Sequence, residues 1–347
     1  MVVSASLFIN DPLELAEILG ISATPLETVH KIYPFRVSRY YLDLARQHGA
    51  PLLKQIVPDL LEVQENETPI DPLAEEVLSP TPCLIHKYPD RAVLLVCREC
   101  ATYCRFCTRK RKVGTEKMHM EENHLQEALT YLRATPAIRD VLISGGDPLL
   151  LSDERLDYIL KSVRAISSVK TIRLGTRIPC TLPMRVTEHL VAVLSKHHPL
   201  YVNLHFNHPA EITPEAEAAC SLLANAGIPL GCQTVLLKGV NDSVEVLRQL
   251  FYRLLAARVK PYYLFQADLT RGTAHFRTTI DTGMNIMRQL QGNMSGMALP
   301  TYALDTPGGG GKIPLYPSYL QELGSQCLFH TYRGQTGEYP NTTWPVE

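Results

Sequence analysis

From residue 91 onward, short runs of β-branched or leucine-rich residues alternate with longer amphipathic stretches. The strand-like runs are RAVLLV (91–96), DVLIS (140–144), TIRLGT (171–176), YVNLHF (201–206), GCQTVLL (231–237) and PYYLFQA (261–267). The helical patterns between them are HLQEALTYLRA, ERLDYILKSVRAI, TEHLVAVLSKH, PEAEAACSLLANAG and VEVLRQLFYRLLAAR. Strands that alternate with helices of this length predict βα units and a parallel sheet.

Residues with unusual chemistry fall at one position relative to these runs, at or just past the end of a strand. They are Cys100, Gly145, Arg177, His205 and Asp268. In βα barrels the carboxyl ends of the strands converge on one mouth, where the chemistry collects, whereas an open doubly wound sheet gathers fewer such residues at its crevice. The pattern therefore predicts an α/β fold in which six strands and their helices form a partial (β/α)6 barrel.

The segments on either side of this alternation have different patterns. Residues 11–63 carry helical patterns that are punctuated by prolines. After residue 296 come a strand-like run, MALPTYALD, then TPGGGGKIP and a proline-rich tail. We therefore expect an N-terminal helical region over 1–80, the barrel over 81–296 and a C-terminal segment over 297–347.

Composition narrows the classes of function. The chain of 347 residues has 45% hydrophobic and 20% charged residues with a formal net charge of -1, so no field of one sign favours nucleic acid or a membrane surface. No apolar run is long enough to span a bilayer, and the amino end lacks the basic start of a secretory signal. We expect a cytoplasmic protein, whose thiols stay reduced.

Nine cysteines are an odd number, and four of them lie in CRECATYCRFC (97–107), which favours metal or redox chemistry over a disulfide framework. Cys100, Cys104 and Cys107 have the spacing C-x3-C-x2-C, and three thiolates leave one iron of a cubane cluster open to a small molecule. Structural zinc is the alternative, and it would need Cys97 or a histidine as a fourth ligand. The remaining cysteines are predicted as small apolar fillers: Cys83, Cys97, Cys180, Cys220, Cys232 and Cys327.

A second unusual stretch is DTPGGGGKIP (305–314), in which four successive glycines precede a lysine. Without β-carbons, this backbone can approach a ligand closely. A flexible linker or a phosphate loop would also use glycines, but Ile313 follows the lysine where the phosphate loop has serine or threonine. A lysine presented on such a loop can instead bond covalently to a carbonyl group, which makes Lys312 a candidate catalytic residue.

Two motifs together resemble the radical S-adenosylmethionine (SAM) superfamily. The cysteine motif has an aromatic residue, Phe106, before its third cysteine and directly follows the first barrel strand, and the second strand ends in a Gly-Gly-acidic turn. Within that superfamily the chain resembles the lysine 2,3-aminomutase family, from about residue 30 to about residue 335. The segments that carry this resemblance are HKYPDRAVLLV, RFCTRKR, SGGDPLL, HFNHPAEIT, GVND, PYYLFQADL, HFRT and GGGGK.

The resemblance implies three cofactors: a 4Fe–4S cluster, SAM and pyridoxal 5′-phosphate (PLP). The cysteines that hold the cluster in the family correspond to Cys100, Cys104 and Cys107. Residues of the family that lie near SAM, including the turn that meets its amino group, correspond to Gly145, Gly146, Asp147, His205 and Gln233.

The resemblance also implies a PLP site and a substrate site. The lysine that carries PLP corresponds to Lys312. Basic residues at the PLP phosphate correspond to Lys87, where the family usually has arginine, and Arg91, and Arg177 and Arg185 are further candidates. Arg109 matches the arginine that binds the substrate α-carboxylate. Two aspartates that bind the substrate ε-ammonium correspond to Asp268 and Asp305.

The implied activity is that of an isomerase that moves the α-amino group of L-lysine to C3. Two alternatives stay open: the lysine 2,3-aminomutase type that serves β-lysylation of elongation factor P, and an aminomutase for another cationic amino acid such as arginine. A zinc-dependent nucleic-acid-binding module is a different class that the basic run RKRK (109–112) permits, although the near-zero net charge disfavours it. An electron donor such as flavodoxin or ferredoxin, and a homo-oligomer, are the expected partners.

The sequence departs from the family at a second metal site. The family has a cysteine after the Asn-Asp of GVND and a cysteine cluster in a carboxyl-terminal extension, and together these form a zinc site between subunits. Ser243 stands at the first position here, and only Cys327 lies near the end of the sequence. We therefore expect this zinc site to be absent.

Overall fold

The computed structural model describes residues 4–118 and 120–342. The first part of the chain is helical, as its pattern predicts, and adds a short antiparallel pair of strands, β1 (Phe8–Ile9) and β2 (Val37–Ser38). Its helices are α1 (Pro12–Leu19), α2 (Ala23–His30), α3 (Arg39–His48), α4 (Ala50–Leu53) and α5 (Leu61–Gln64). Ser38 caps α3 by accepting a hydrogen bond from the backbone N–H of Tyr41, whose side chain is buried.

The central sheet contains the six strands predicted for the barrel, a strand in the strand-like run MALPTYALD, and two edge strands. Its strands are β3 (Leu84–Tyr88), β4 (Arg91–Cys97), β5 (Asp140–Gly145), β6 (Thr171–Thr176), β7 (Leu200–Leu204), β8 (Leu230–Leu236), β9 (Val259–Gln266), β10 (Thr301–Thr306) and β11 (Gly311–Pro314). Neighbours along the chain are neighbours in the sheet, and β4 to β10 run parallel. At the two edges, β3 and β11 are antiparallel to their neighbours. The predicted partial (β/α)6 barrel is confirmed, with these edge strands and β10 as additions.

Helices follow the strands of this sheet. They are α6 (Glu122–Ala134), α7 (Asp153–Arg164), α8 (Ile178–Thr181), α9 (Glu188–Ser195), α10 (Pro214–Asn225), α11 (Val244–Ala256) and α12 (Ile280–Leu290). In α11 the buried residues Leu247, Leu250 and Leu254 recur at the spacing of a helix with one apolar face. Ser243 caps this helix by accepting a hydrogen bond from the backbone N–H of Val246. Among the described helices, none has both the length and the apolar character needed to cross a membrane.

The inner face of the sheet encloses a cavity of about 920 Å³. Along β8, buried residues alternate with residues that face this interior. Gly175 on β6 and Gly231 on β8 line the cavity, and an added β-carbon at either position would meet only ordinary contacts. Side chains fill the centre of a closed (β/α)8 barrel, but glycines at these positions leave the interior open to a ligand.

A seam separates the two edges of the sheet, because no β-ladder joins β3 to β11 within the described ranges. Side chains bridge the seam instead. Lys87 Nζ lies 2.8 Å from Asp305 Oδ1. The Tyr88 hydroxyl oxygen accepts a 2.9 Å hydrogen bond from the backbone N–H of Lys312. The wall of the barrel is therefore completed by contacts that involve three of the predicted site residues.

The end of the described chain forms a small antiparallel sheet. Its strands are β12 (Leu320–Glu322), β13 (Gln326–His330) and β14 (Thr336–Pro340). In the sequence this segment shows only as part of a proline-rich tail. Cys327 is buried in β13, as expected of a cysteine that serves as a small apolar filler.

The basic run 109–112 is neutralised by acidic partners. At its centre, the fully buried Glu62 carboxylate accepts hydrogen bonds from Arg105 Nε at 3.0 Å and from Lys110 Nζ at 2.8 Å. Burial alone would raise the pKa of Glu62, but Arg105 and Lys110 hold it below its usual value. Burial lowers the pKa of Lys110 to about 8. Lys110 is therefore engaged inside the fold rather than presented to a nucleic acid.

Replacing Glu62 with alanine is expected to lower the free energy of unfolding by about 3–5 kcal/mol, because Arg105 and Lys110 would stay buried without a counter-charge. Chemical denaturation followed by circular dichroism measures this change. The control is Glu76→Ala, which removes a half-exposed carboxylate 3.1 Å from Arg111 and should cost about 1 kcal/mol or less. Equal losses in the two variants would show that the buried cluster contributes no more than a surface ion pair.

Candidate active site

Most of the residues predicted as a site face the same cavity. Those that line it are Lys87, Arg91, Cys104, Cys107, Arg109, His205, Gln233, Asp268, Asp305 and Lys312. Four further predicted residues lie at or just past the ends of β4 and β5: Cys100, Gly145, Gly146 and Asp147. The fold therefore brings together side chains that are more than 200 positions apart in the sequence, from Lys87 to Lys312.

The cysteine loop follows β4 and is anchored by Phe106. The ring of Phe106 lies 5.9 Å from that of Phe276 and 5.7 Å from that of His205. The backbone N–H of Arg109 donates a 3.3 Å hydrogen bond to Cys107 Sγ. Within residues 4–118 and 120–342, no three His, Cys, Asp or Glu side chains converge as they would around a single metal ion. A cubane cluster makes a different demand, because its cysteines bind separate iron atoms.

Arg177 contacts the cysteine loop instead of lying with the predicted phosphate ligands. Its Nη1 lies 2.7 Å from Cys104 Sγ, and its Nη2 lies 2.6 Å from Gln55 Oε1 and 2.9 Å from Glu211 Oε1. Arg185 is turned away as well, onto the buried carboxylate of Asp153. Neither arginine lines the cavity, because both follow β6, whose carboxyl end packs beside the cysteine loop. The suggestion that they add to a phosphate site is therefore wrong.

The Gly-Gly-Asp turn packs directly on the cysteine loop. The backbone N–H of Gly146 donates to the carbonyl of Cys97, and that of Asp147 donates to the carbonyl of Glu99 at 2.7 Å. Gly145 has φ 132°, and a β-carbon at Gly146 would overlap the backbone of Glu99. Glycine is therefore required at both positions for the two loops to approach so closely.

The carboxylate of Asp147 points toward the end of β6. It accepts hydrogen bonds of 2.7 Å from the Thr176 hydroxyl and from the backbone N–H of Arg177. Burial raises the pKa of Asp147 to about 6 despite these bonds. Its contact with the amino group of SAM stays a prediction, and in this structure the side chain braces the loops that follow β5 and β6.

His205 and Gln233 line the wall of the cavity on neighbouring strands. His205 lies just past the end of β7, with Nε2 3.1 Å from Asn207 Oδ1. Burial lowers its pKa to about 3, so the imidazole is neutral at physiological pH. A neutral ring beside Phe106 offers a hydrogen-bonding and stacking surface rather than a charge.

Lys312 lies on a strand, whereas the sequence indicated a loop. The glycines form the turn of a hairpin, with φ 72° at Gly308 and 84° at Gly309, and Lys312 on β11 pairs with Asp305 on β10. Thr306 closes the turn by donating its hydroxyl to the carbonyl of Gly311 at 2.8 Å. A lysine on a paired strand is held more firmly at its backbone than one on a flexible loop.

Two aspartates and two lysines form a charge cluster beside the hairpin. Lys87 Nζ lies 2.8 Å from Asp305 Oδ1, and Lys312 Nζ lies 2.8 Å from Asp305 Oδ2. Burial alone would raise the pKa of Asp305, but Lys312 and Lys87 hold it below its usual value. Burial, followed by the negative charge of Asp305, raises the pKa of Asp268 to about 7. A cation close to Asp268 would therefore stabilise its ionised form.

The amino end of β4 is also charged, and Tyr88 connects it to the charge cluster by accepting a hydrogen bond from the backbone N–H of Lys312. The Arg91 guanidinium carbon lies 3.8 Å from the centre of the Tyr88 ring. Arg173, which lines the cavity, pairs with Asp140 at 2.9 Å. Tyr88, Arg173 and Asp140 were not predicted as site residues. Their positions within the strand-like runs and the HKYPDR segment were the only signal in the sequence.

Family profiles match both halves of this arrangement. The profile described as the radical SAM superfamily matches residues 94–251, which span the cysteine loop and the strands from β4 to β8. The fold and the cysteine loop therefore define a radical SAM protein. A second profile, described as lysine-2,3-aminomutase, matches residues 287–343, which include Lys312.

Comparison with curated proteins gives the family. The chain is 44% identical over 341 residues to the L-lysine 2,3-aminomutase of Methanococcus maripaludis, covering 95% of this chain and 79% of that protein. It is 47% identical over 307 residues to the enzyme of that name from Clostridium subterminale, covering 87% and 74%. A glutamate 2,3-aminomutase of Clostridioides difficile is 42% identical over 333 residues, covering 94% and 79%. The chain therefore belongs to the lysine 2,3-aminomutase family, whose members are isomerases.

The cofactors of this family are a 4Fe–4S cluster, SAM and PLP, and the residues present fit them. Soft thiol donors on one loop suit iron–sulfur ligation. A primary amine at Lys312 and basic side chains at Lys87 and Arg91 suit an aldehyde and a phosphate. The glycines at 175 and 231 keep side chains out of the space that lies between these groups.

Proposed function

We propose that the protein converts L-lysine to L-β-lysine by moving the α-amino group to C3. The observation that supports this most strongly is that one cavity is lined by both a guanidinium, Arg109, and two carboxylates, Asp268 and Asp305. Free lysine carries a carboxylate at one end and an ammonium group at the other. The two kinds of side chain match these two ends, and a substrate held at both ends has its C3 fixed in the cavity.

The cofactors would be held by residues already described. Bound together, the cluster and SAM supply a 5′-deoxyadenosyl radical, and PLP supplies the group that carries the migrating nitrogen. We assign the cluster to Cys100, Cys104 and Cys107, and PLP to Lys312. A one-electron donor such as flavodoxin or ferredoxin is needed to reduce the cluster.

The remaining assignments rest on the resemblance to the family, and the position of these residues in the cavity supports them. Lys87 and Arg91 are proposed to bind the phosphate of PLP, and their separation along the β3–β4 hairpin places positive charge on one wall. His205 and Gln233 are proposed to border SAM, since His205 packs against Phe106 of the cysteine loop.

The charge cluster explains how a carboxylate pair can be ready for a cationic substrate. Asp305 is neutralised here by Lys87 and Lys312. Both lysines are assigned to PLP. Asp305 therefore loses both partners when Lys312 is attached to PLP and Lys87 binds the phosphate of PLP. Asp305 and Asp268 then form a buried acidic pair, which favours an incoming ammonium group.

The same pair disfavours glutamate, the substrate named for one relative. A side-chain carboxylate would lie against two buried acids, and like charges in a low-dielectric cavity repel strongly. Among amino acids with a cationic side chain, lysine is proposed because the resemblance to L-lysine 2,3-aminomutases extends over most of the chain.

Product analysis tests this proposal. Protein purified without oxygen and loaded with iron, sulfide and PLP is incubated with SAM, a reductant and L-lysine, L-arginine or L-glutamate in separate reactions. Chromatographic separation of the isomers, with fragment-ion mass analysis, should find β-lysine, with kcat/KM for lysine at least about 100-fold above that for glutamate. β-Glutamate as the main product would contradict the assignment of Asp268 and Asp305. β-Arginine as the main product would show that arginine, rather than lysine, is the cationic substrate.

A further inference from the structure

An acidic strap, residues 71–78, borders the cavity, which is lined by Leu73 and Glu75 of this segment. Its carboxylates contact the basic run that follows the cysteine loop: Asp71 pairs with Arg111 at 2.9 Å, and Glu76 pairs with Arg111 at 3.1 Å. On its other side, the carbonyl of Pro72 accepts a 2.8 Å hydrogen bond from the backbone N–H of Gly308. The acidic strap thus connects the cysteine loop with the hairpin that carries Lys312.

Within the acidic strap, the Glu75 carboxylate accepts hydrogen bonds from Arg109 through both of its oxygens. Arg109 Nε lies 3.0 Å from both oxygens of Glu75, and Arg109 Nη2 lies 2.7 Å from Oε1. Both side chains line the cavity, and that of Glu75 is only 9% exposed. Burial alone would raise the pKa of Glu75, but Arg109 holds it below its usual value, so the carboxylate is ionised.

The way in which Glu75 binds leaves one edge of the guanidinium available. Glu75 uses the edge formed by Nε and Nη2. Nη1 has no hydrogen-bond acceptor among the described residues. A planar guanidinium can bind carboxylates on two different edges at once, because its donors point outward in a fixed fork. The Nη1–Nη2 edge is therefore the one that remains for a ligand.

The backbone before Glu75 is held in an unusual conformation that fixes where this side chain points. Ala74 has φ 53°, a left-handed conformation that non-glycine residues seldom adopt. A β-carbon at Gly309 would lie 3.5 Å from that of Ala74, so the glycine turn packs closely on this point. Such a conformation persists only where the surroundings support it, and it commonly occurs at functional sites.

We infer that Glu75 is a positioning residue for substrate: it fixes the Arg109 guanidinium so that its Nη1–Nη2 edge receives the α-carboxylate of the amino acid. This inference rests on the proposed function, in which Arg109 binds that carboxylate. The contrasting possibility is that Glu75 competes with the substrate for Arg109. The occupied edge argues against competition, because Glu75 leaves the end of the fork unused.

Binding measurements on turnover-incapable protein separate these roles. Protein loaded with PLP but given no SAM is titrated with L-lysine or with lysinamide, whose neutral amide cannot form the carboxylate pair with Arg109. Binding is followed by the change in visible absorption of the bound PLP. The variants are Glu75→Ala and Glu75→Gln, which keeps the size of the side chain, and Glu76→Gln is the matched control on the same strap.

The expected result is a selective loss of affinity for lysine. Glu75→Ala should weaken lysine binding about 10- to 100-fold while leaving lysinamide binding within about 2-fold of wild type. Glu75→Gln should lie between, and Glu76→Gln should match wild type for both ligands. In turnover assays the same loss should appear as a higher KM with kcat largely kept.

Other outcomes overturn the inference. Tighter lysine binding in Glu75→Ala would identify Glu75 as a competitor. Unchanged binding, or an equal loss for lysine and lysinamide, would show that Glu75 does not act through the carboxylate contact of Arg109. A wild-type protein that binds PLP and lysinamide but not lysine would overturn the proposed function, and with it this inference.

Discussion

Replacing Lys312 with alanine is expected to abolish β-lysine formation while the reduced cluster still cleaves SAM. The substitution removes the only atoms that can attach PLP covalently at the hairpin and leaves the cysteine loop untouched. The loss should be at least about 1000-fold, since covalent attachment and orientation are both lost. Anaerobic assays for β-lysine and for 5′-deoxyadenosine measure the two outcomes separately.

Borohydride trapping gives a second readout that does not depend on turnover. Treatment of the PLP-loaded wild-type protein should add the mass of reduced PLP to the peptide that contains Lys312. Lys260 provides a matched control, because it also lines the cavity but donates to the backbone carbonyls of Met297 and Leu299. Lys260→Ala should still be labelled at Lys312. Label on another lysine, or full activity of Lys312→Ala, would refute the PLP assignment.

Replacing Asp268 with asparagine is expected to lower kcat/KM for lysine at least about 100-fold, because the substrate ammonium would lose one of two buried counter-charges. The fold should tolerate the change, since asparagine has nearly the same size. The decisive comparison is kcat/KM for lysine in wild type and variant, alongside thermal unfolding of both.

The raised pKa of Asp268 also predicts that kcat/KM for lysine depends on pH. Its pKa is raised to about 7, first by burial and then by Asp305. Below that pH the carboxyl is protonated and neutral, and an ammonium group binds the ionised form. Lys312 and Lys87 lower the pKa of Asp268, so their engagement with PLP raises it further, and kcat/KM of the wild type should rise with pH with a midpoint above about 7. The lysine ammonium stays charged throughout, because its ordinary pKa is about 10.4. Asp268→Asn should lack this rise, and Asp305→Asn should move it to lower pH.

A rise that persists unchanged in Asp268→Asn would assign it to another group. A rise that does not move in Asp305→Asn would show that the two carboxylates are not coupled. Either result would remove the physical basis for the ammonium site while leaving the assignment of Lys312 intact.

Periodicity predicted the barrel because each βα unit is a local pattern. All six strand-like runs became strands of one sheet, and all of the helical runs between them became helices. The antiparallel edge strand β3 was missed, because LIHKY shows no clean alternation and its partner lies only two residues away across a hairpin. Lys312 was expected on a loop because the glycines dominate that segment, yet the residues after them pair with β10.

Side-chain partners could not be predicted, since they depend on contacts between distant parts of the chain. Arg177 is an example: its contacts with Gln55 and Cys104 join segments that are 122 and 73 positions away. Glu75 is another, because DPLAEE has no periodicity or motif that distinguishes it from a solvated acidic turn. The resemblance to the family identified most of the residues that meet in the cavity, and position after a strand pointed to His205 and Asp268. Only the folded chain shows which of them are already paired.

The seam between β3 and β11 has a practical consequence. A hydrogen-bonded ladder does not depend on any one side chain, whereas this wall is held partly by the pair of Lys87 with Asp305, whose buried charges are screened only weakly by salt. The same lysine is assigned to the cofactor, so reagents that bind it also loosen this part of the wall. Anions that bind Lys87 during reconstitution will therefore influence how readily the barrel admits its ligands, quite apart from any effect on the chemistry.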